Sequence, residues 1–313
     1  MRDERSNQII DAVGKIIIGK EKIIEQILMT IYAGGHILLE DCPGVGKTTL
    51  AIAFARVLGL EYNRLQFTPD TMPSDITGFS VYVKDNGGFE YRTGALDCQL
   101  FLGDEINRTS PKTQAALLEV MEENQVTVDG IVHKMKSPFI CIATQNPTGT
   151  AGTNALPESQ LDRFMVKLRI GYPTTEEQML IMKQRQNKNP LDEATPIITA
   201  KEIQLIKGQV KLVRTVDSIL RYITLLCEAT RESPMVELGV SPRGVIALSQ
   251  LSRAKAYLAG RKYVIPEDVQ DVYIESCAHR IVLKPQARAE GTKQEKILKE
   301  ILETVRAPRP GKM

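Results

Sequence analysis

Asp41-Cys-Pro-Gly44-Val-Gly46-Lys47-Thr48 has the composition of a loop that wraps phosphate. Glycines let the backbone turn its N–H groups inward, a lysine neutralises the β- and γ-phosphates, and a hydroxyl holds Mg²⁺. Here the N–H groups of Gly44 to Thr49 would line the cradle, helped by the positive end of the helix that follows. Lys47 is then the phosphate cation and Thr48 the metal ligand. The candidate nucleotide contacts are Pro43, Gly44, Val45, Gly46, Lys47, Thr48 and Thr49. One position departs from the strict GxxxxGK[ST] pattern: Asp41 stands where the first glycine belongs. Aspartate tolerates turn conformations better than most residues, so the loop survives the change.

A second chemical group lies downstream. Leu100-Phe-Leu-Gly-Asp104-Glu105 is an apolar strand ending in two carboxylates. Open α/β sheets bind ligands at such strand ends. Asp104 fits a residue that orders Mg²⁺ through its water shell, and Glu105 one that orients and polarises an attacking water. Asn146 ends the next apolar strand. It either holds that water or the γ-phosphate, or forms an Asx turn before Pro147. Arg163, in Leu161-Asp-Arg-Phe164, ends a short helical segment. There it is either a structural salt bridge at a helix C-terminus or an arginine finger for a neighbouring subunit's phosphate. Arg243 follows a cap residue, Ser241, and Pro242 at the first helical position. A cation in a first turn opposes the helix dipole. A local rule broken in this way marks a functional site, and an anion such as ATP phosphate would compensate.

These groups need a scaffold. The runs 36–40, 100–102 and 139–143 are short, apolar and closed by polar residues, the pattern of strands buried on both faces. Helical segments separate them: residues 48–58 after the phosphate loop, and 114–121 after the Ser110-Pro111 cap. The alternation predicts an α/β doubly wound domain. Beyond residue 172 the strand-like runs largely vanish. Thr174-Thr-Glu-Glu177 and Thr199-Ala-Lys-Glu202 have capping-box spacing, 216–230 reads as a buried helix, and Ser241-Pro242 and Pro266 open two more. This half reads as a small all-helical domain, with an amphipathic helix at 292–305.

A chain of 313 residues allows about two domains. A net charge of +2 argues against a protein built mainly to grip nucleic acid. The five cysteines form no CxxC pair and the three histidines no HExxH pattern, so neither a zinc site nor a disulfide framework is expected. No signal peptide or membrane-length apolar run is apparent. A soluble cytoplasmic protein without membrane insertion is the expectation.

Taken together, these residues resemble an AAA+ ATPase, and more narrowly the MoxR family. The resemblance is carried by Gly34-Gly-His-Ile-Leu-Leu-Glu40 leading into the phosphate loop, Gln66-Phe-Thr-Pro-Asp70, Pro73-Ser-Asp-Ile-Thr-Gly78, and Asp104-Glu-Ile-Asn-Arg108. Val126-Thr-Val-Asp-Gly130, Ala143-Thr-Gln-Asn-Pro147, Leu156-Pro-Glu158, Leu161-Asp-Arg-Phe164, Ser241-Pro-Arg243 and His279-Arg280 continue it. It implies an αβα P-loop NTPase core over 1–188, an all-helical lid over 189–285 and a C-terminal helix and tail over 286–313. It implies ATP and Mg²⁺ as ligands, with ATP between core and lid and Ile18 and Gly19 near the adenine. It assigns Walker A to Lys47 and Thr48, Walker B to Asp104 and Glu105, sensor 1 to Asn146 and sensor 2 to Arg243.

The same resemblance implies a homo-hexameric ring with Arg163 acting in trans. It also implies a partner bearing a von Willebrand factor A domain, and remodelling or maturation of a client protein, including metal-cofactor insertion. Gly87-Gly88 lies where the family's helix-2 insert falls, and 127–134 resembles the hairpin before sensor 1. Two stretches depart from the family, Thr93-Gly-Ala-Leu-Asp-Cys-Gln99 and Thr148-Gly-Thr-Ala-Gly152. Neither touches the phosphates by motif, so they bear on partner contacts. The competing readings are a nucleic-acid motor and a nucleotide-gated scaffold. The intact Asp104-Glu105 pair argues against the scaffold.

Overall fold

The computed structural model describes residues 4–42, 44–84, 87–146, 155–186 and 188–308. Two helices, α1 (Glu4–Gly14) and α2 (Glu21–Ala33), precede the first strand, β1 (Ile37–Glu40). After the phosphate loop come α3 (Lys47–Val57), β2 (Tyr62–Gln66) and the short α4 (Pro73–Thr77). A hairpin of β3 (Phe79–Val83) and β4 (Gly88–Arg92) leads to β5 (Leu100–Asp104). α5 (Pro111–Glu123) is followed by a second hairpin, β6 (Gln125–Val128) and β7 (Ile131–Lys134). Then come β8 (Ile140–Gln145), α6 (Glu158–Leu161) and β9 (Val166–Leu168).

Five of these strands form one parallel sheet in the order β2-β5-β8-β1-β9. Side chains alternate across it. Ile37, Leu39, Leu100, Leu102, Ile140 and Ile142 join one apolar cluster; Leu38, Phe101, Cys141 and Ala143 join the other. Burial on both faces is why these strands read as unbroken apolar runs. Because the sheet is parallel, Glu40, Asp104 and Gln145 all lie along its C-terminal edge.

The rest is mainly helical: α7 (Thr175–Arg185), α8 (Ala200–Lys211), α9 (Asp217–Glu232), β10 (Val236–Leu238), α10 (Pro242–Leu258), α11 (Pro266–Cys277), β11 (Val282–Leu283), α12 (Pro285–Ala289) and α13 (Gln294–Thr304). Helix starts follow local chemistry. The Thr174 and Thr199 hydroxyls accept from the N–H groups of Glu177 and Glu202, whose carboxylates return the bond to the Thr174 and Thr199 N–H groups at 2.8 and 2.9 Å. Ser241 accepts from the Gly244 N–H at 3.1 Å. One feature is new: β10 and β11 pair antiparallel. Runs of three and two residues are too short for a period to register in sequence.

The helical half is packed onto the sheet domain. α8 and α10 lie on α2, and α11 lies on β9. One continuous apolar cluster joins Ile24 and Leu28 to Ile206, Leu248, Leu251 and Tyr273. α13 closes it with Ile297, Leu298 and Ile301.

A single buried guanidinium rivets the two halves near α6. Arg280 donates through Nε to Asp162 Oδ1 at 2.8 Å, and through Nη2 to the carbonyls of Asp162 and Phe164 at 3.0 and 2.7 Å. Its Nη1 reaches the carbonyls of Met165, at 3.1 Å, and Ser276. The Ser241 hydroxyl donates to the other oxygen of Asp162 at 2.8 Å. Among the described residues, no helix is long and apolar enough to cross a membrane.

Candidate functional site

The phosphate loop leaves β1 at Glu40. Gly44 and Gly46 adopt φ of +86° and +95°, a region that penalises any Cβ. A Cβ at either would meet nothing within 4 Å, so backbone conformation, not crowding, selects glycine there. Gly46 caps α3, and Lys47 is its first residue. Val45, Thr48 and Thr49 are half-buried beside it; Pro43 lies outside the described residues.

Asp41 does more than tolerate the turn. Its Oδ1 accepts from the Cys42 N–H at 2.9 Å and its Oδ2 from the Gly171 N–H at 2.6 Å. The loop is thereby tied to the segment that follows β9, a bond glycine could not make. The Asp41 carbonyl also accepts from Lys47 Nζ at 2.6 Å. Burial lowers the lysine's pKa, while the charges of Asp104, Asp41 and Glu105 oppose that shift.

The acids sit opposite. Asp104 ends β5, and Glu105 turns out of the strand with φ of +57°, unusual for a residue with a Cβ. Thr144 on β8 organises both: its hydroxyl donates to Asp104 Oδ1 at 2.6 Å and accepts from the Glu105 N–H at 2.8 Å. The Asn146 amide donates from Nδ2 to Glu105 Oε1 at 3.0 Å. Asn107 holds the Asn146 backbone from both sides, donating to its carbonyl at 3.2 Å and accepting from its N–H at 3.4 Å. The Asn146 side chain thus contacts Glu105 through its amide nitrogen; the Asx-turn alternative involves residues 147 and 148, which lie outside the described residues. The Asn146 Oδ1 is buried and accepts no hydrogen bond from the described residues.

Two arginines cover the acids. Arg64 on β2 reaches Asp104 Oδ2 at 2.7 Å, and Arg108 reaches Glu105 Oε2 at 2.9 Å. The Arg108 hydrogen bond holds the Glu105 carboxyl below the usual carboxylate range, against the opposing effect of burial. If Glu105 serves as a base, its ionised form is the active one. Arg108→Ala should then move the acid limb of kcat to higher pH, as the carboxyl regains protons more readily. A pH profile of turnover checks this; an unmoved acid limb would separate Glu105 from the titrating group. Glu40 completes the rim, accepting from Gln145 at 2.7 Å and Arg169 at 2.6 Å, with Lys167 at 3.4 Å.

Lys47, Asp104, Glu105 and Asn146 thus converge on the C-terminal edge of the sheet. Arg163 and Arg243 do not. His36, just before β1, donates from Nε2 to the Met121 carbonyl at 2.9 Å and accepts at Nδ1 from the Cys141 N–H at 3.0 Å. The His36 carbonyl accepts from the Met165 N–H at 2.9 Å. Residues 121–122 and 163–165 therefore belong to the N-terminal edge, and both arginines pair there with Glu122. Five residues of extended chain, about 16 Å, separate His36 from Asp41. Arg243, assigned to sensor 2 by the resemblance, thus stands on the edge away from its own phosphate loop. The anion that offsets its place in the first turn of α10 is a carboxylate of the same chain.

Gly19, with φ of +72°, packs so tightly on α7 that a Cβ would lie 1.8 Å from Glu177 Oε1. With Lys167, Arg169, Ile274, Ala278 and Glu295 it lines a cleft of about 510 Å³ between β9 and the helical half, and Ile18 is half-buried next to it. Sequence reasoning missed Arg64, Arg108, Thr144 and Glu122. Only the unexplained charge of Arg243 signalled one of them.

The residues fit a magnesium nucleotide. The glycine cradle is open, Lys47 rests on a carbonyl it can leave, and the Asn146 acceptor is unfilled. Among the described residues no group of three or more His, Cys, Asp or Glu could hold a metal ion. Mg²⁺ takes one or two protein ligands and draws the rest from phosphate and water, and Thr48 and Asp104 are the residues that would hold it.

Comparison with known proteins agrees. The sequence model of the ATPase family associated with various cellular activities (AAA) matches residues 36–166, and that of the AAA lid domain matches 228–301. YeaC of Bacillus subtilis is 45% identical over 96% of this chain and 93% of its own. Chaperone MoxR1 of Mycobacterium tuberculosis is 36% identical over 95% of this chain and 80% of its own. A crystal structure of a Cytophaga hutchinsonii protein superposes with a TM-score of 0.89 at 35% identity, covering 97% of this chain and 95% of that one.

Proposed function

The chain belongs to the MoxR family of AAA+ ATPases, and from that premise we propose that it hydrolyses ATP in a homo-oligomeric ring and uses the cycle to remodel a client protein. The observation that carries this reading is the division of the site between two edges of one sheet. Phosphate loop, acids and Asn146 lie on one edge; Arg163 and Arg243 lie on the other. An arginine finger on the far edge serves a second copy of the chain, so neither edge is complete alone.

The steps follow from the residues. The N–H groups of the loop receive the phosphates, and Lys47 exchanges the Asp41 carbonyl for the β/γ-phosphate oxygens. Thr48 and Asp104 would hold Mg²⁺, which would supply charge neutralisation for the phosphates. Arg64, which donates to Asp104 Oδ2, would share that carboxylate with the ion. The attacking water donates to Glu105, the base, and to the unfilled Asn146 Oδ1, which fixes its direction. Arg163 and Arg243 of the adjoining subunit neutralise charge on the transferring phosphoryl group.

Exposed Tyr82 and Phe89 on the β3–β4 hairpin, and Ile131 and Val132 on the β6–β7 hairpin, offer apolar contacts to a client. The name of the mycobacterial relative, a chaperone, supports remodelling as the output.

Specific ATPase activity measured against protein concentration, with mass by light scattering in ATP, tests the reading. Activity should rise as an oligomer appears. Equal turnover by a monomer would refute a shared site.

A further inference from the structure

Glu122 holds both far-edge arginines with one carboxylate: Arg163 Nε lies 3.5 Å from Oε2, and Arg243 Nη2 bonds Oε1. All three side chains are partly exposed, with 31%, 43% and 45% of Arg163, Arg243 and Glu122 accessible. Two of the charges look misplaced. Glu122 is in the last turn of α5, where a negative charge opposes the dipole, and Arg243 is in the first turn of α10, where a positive one does. Facing each other, each sits at the favourable end of the other's helix. Exposed ion pairs of this kind add little to stability.

The cluster retains one net positive charge. Without the carboxylate, two guanidinium groups on adjacent segments would repel and splay. With it, they are held side by side, the arrangement needed to grip one phosphoryl group. Arg163 Nε makes no hydrogen bond at 3.5 Å and Arg243 makes a single contact to Glu122, so both guanidinium groups keep donors for a larger anion such as a phosphoryl group.

We propose that Glu122 is a positioning residue for hydrolysis in the adjoining subunit: it holds Arg163 and Arg243 as a pair and presents them together to that subunit's γ-phosphate. This rests on the trans reading above. Glu122 touches no substrate of its own chain, because it lies on the edge away from its own phosphate loop.

The full-length Glu122→Gln chain should keep its affinity for ATP, since its own loop is untouched. Its kcat should fall about ten- to a hundredfold, the scale of loss expected when catalytic groups are slightly misplaced. In a chain already carrying Arg163→Ala and Arg243→Ala, the same change should cost nothing further. Undiminished kcat, or an equal additional loss in that background, overturns the proposal.

Co-expression with Lys47→Ala chains separates it from the reading it rests on. Glu122→Gln chains have an intact loop, and Lys47→Ala chains have an intact arginine pair, so mixed oligomers should recover turnover. Arg163→Ala with Lys47→Ala is the control. If the control recovers and the Glu122→Gln mixture does not, Glu122 serves its own chain and the proposal fails alone. If the control stays dead, the trans reading fails and takes the proposal with it.

Discussion

Glu105→Gln should bind ATP as tightly as the parent chain and turn it over about 10²–10⁴-fold more slowly, the usual contribution of a positioned base. The substitution keeps the shape of the site. The backbone of residue 105 remains pinned by Thr144, and a glutamine carbonyl can still accept from Asn146 Nδ2. It removes the capacity to take a proton, together with the charged acceptor of Arg108. Lys47, Thr48 and the glycine cradle are unchanged, so affinity should hold. Fluorescent-nucleotide titration together with phosphate release reads both quantities. Turnover at the parent rate would mean that some other group activates the water, and the Glu105–Asn146 pair would lose its assigned role.

Arg163→Ala carries the second large effect. Arginine fingers contribute about 10³–10⁵ in turnover, or about 4–7 kcal/mol of barrier. The residue pairs with Glu122 on the far edge of the sheet, away from its own phosphate loop. ATP binding by an isolated chain should therefore be unaffected, while hydrolysis is lost at every protein concentration. Adding more protein restores activity to a chain that is merely dilute, but not to one lacking the finger. Parent-level hydrolysis would show that the nucleotide site is completed within one chain.

What was legible in the sequence was local. The strands that became β1, β5 and β8 and the caps at Ser110, Thr174, Thr199 and Ser241 depend on neighbours within a turn or a short run. The glycine cradle and the acids at the end of β5 follow from the same logic. What escaped was set by tertiary approach. Arg64 meets Asp104 across 40 positions, Thr144 meets Asp104 across 40, and Arg243 meets Glu122 across 121. No period encodes such pairs.

Two cases lie between. Arg243 betrayed a need for an anion, and the structure supplies Glu122 where phosphate was expected. Asp41 looked like a tolerated substitution, and it proved to hold two N–H groups in place.

The Arg280 rivet has a mechanical consequence. The segment that carries Arg163 belongs by sequence to the sheet domain. Yet its carbonyls and Asp162 are gripped by a guanidinium from the helical half, and Ser241, two residues before Arg243, grips the same aspartate. The same segment is also held to the sheet, where the Met165 N–H donates to the His36 carbonyl, so a displacement of either half is felt at both arginines. Were copies of the chain to assemble as proposed, both guanidinium groups would meet the next copy's nucleotide as parts of one stiff unit, in which sheet and helical half share a continuous apolar cluster.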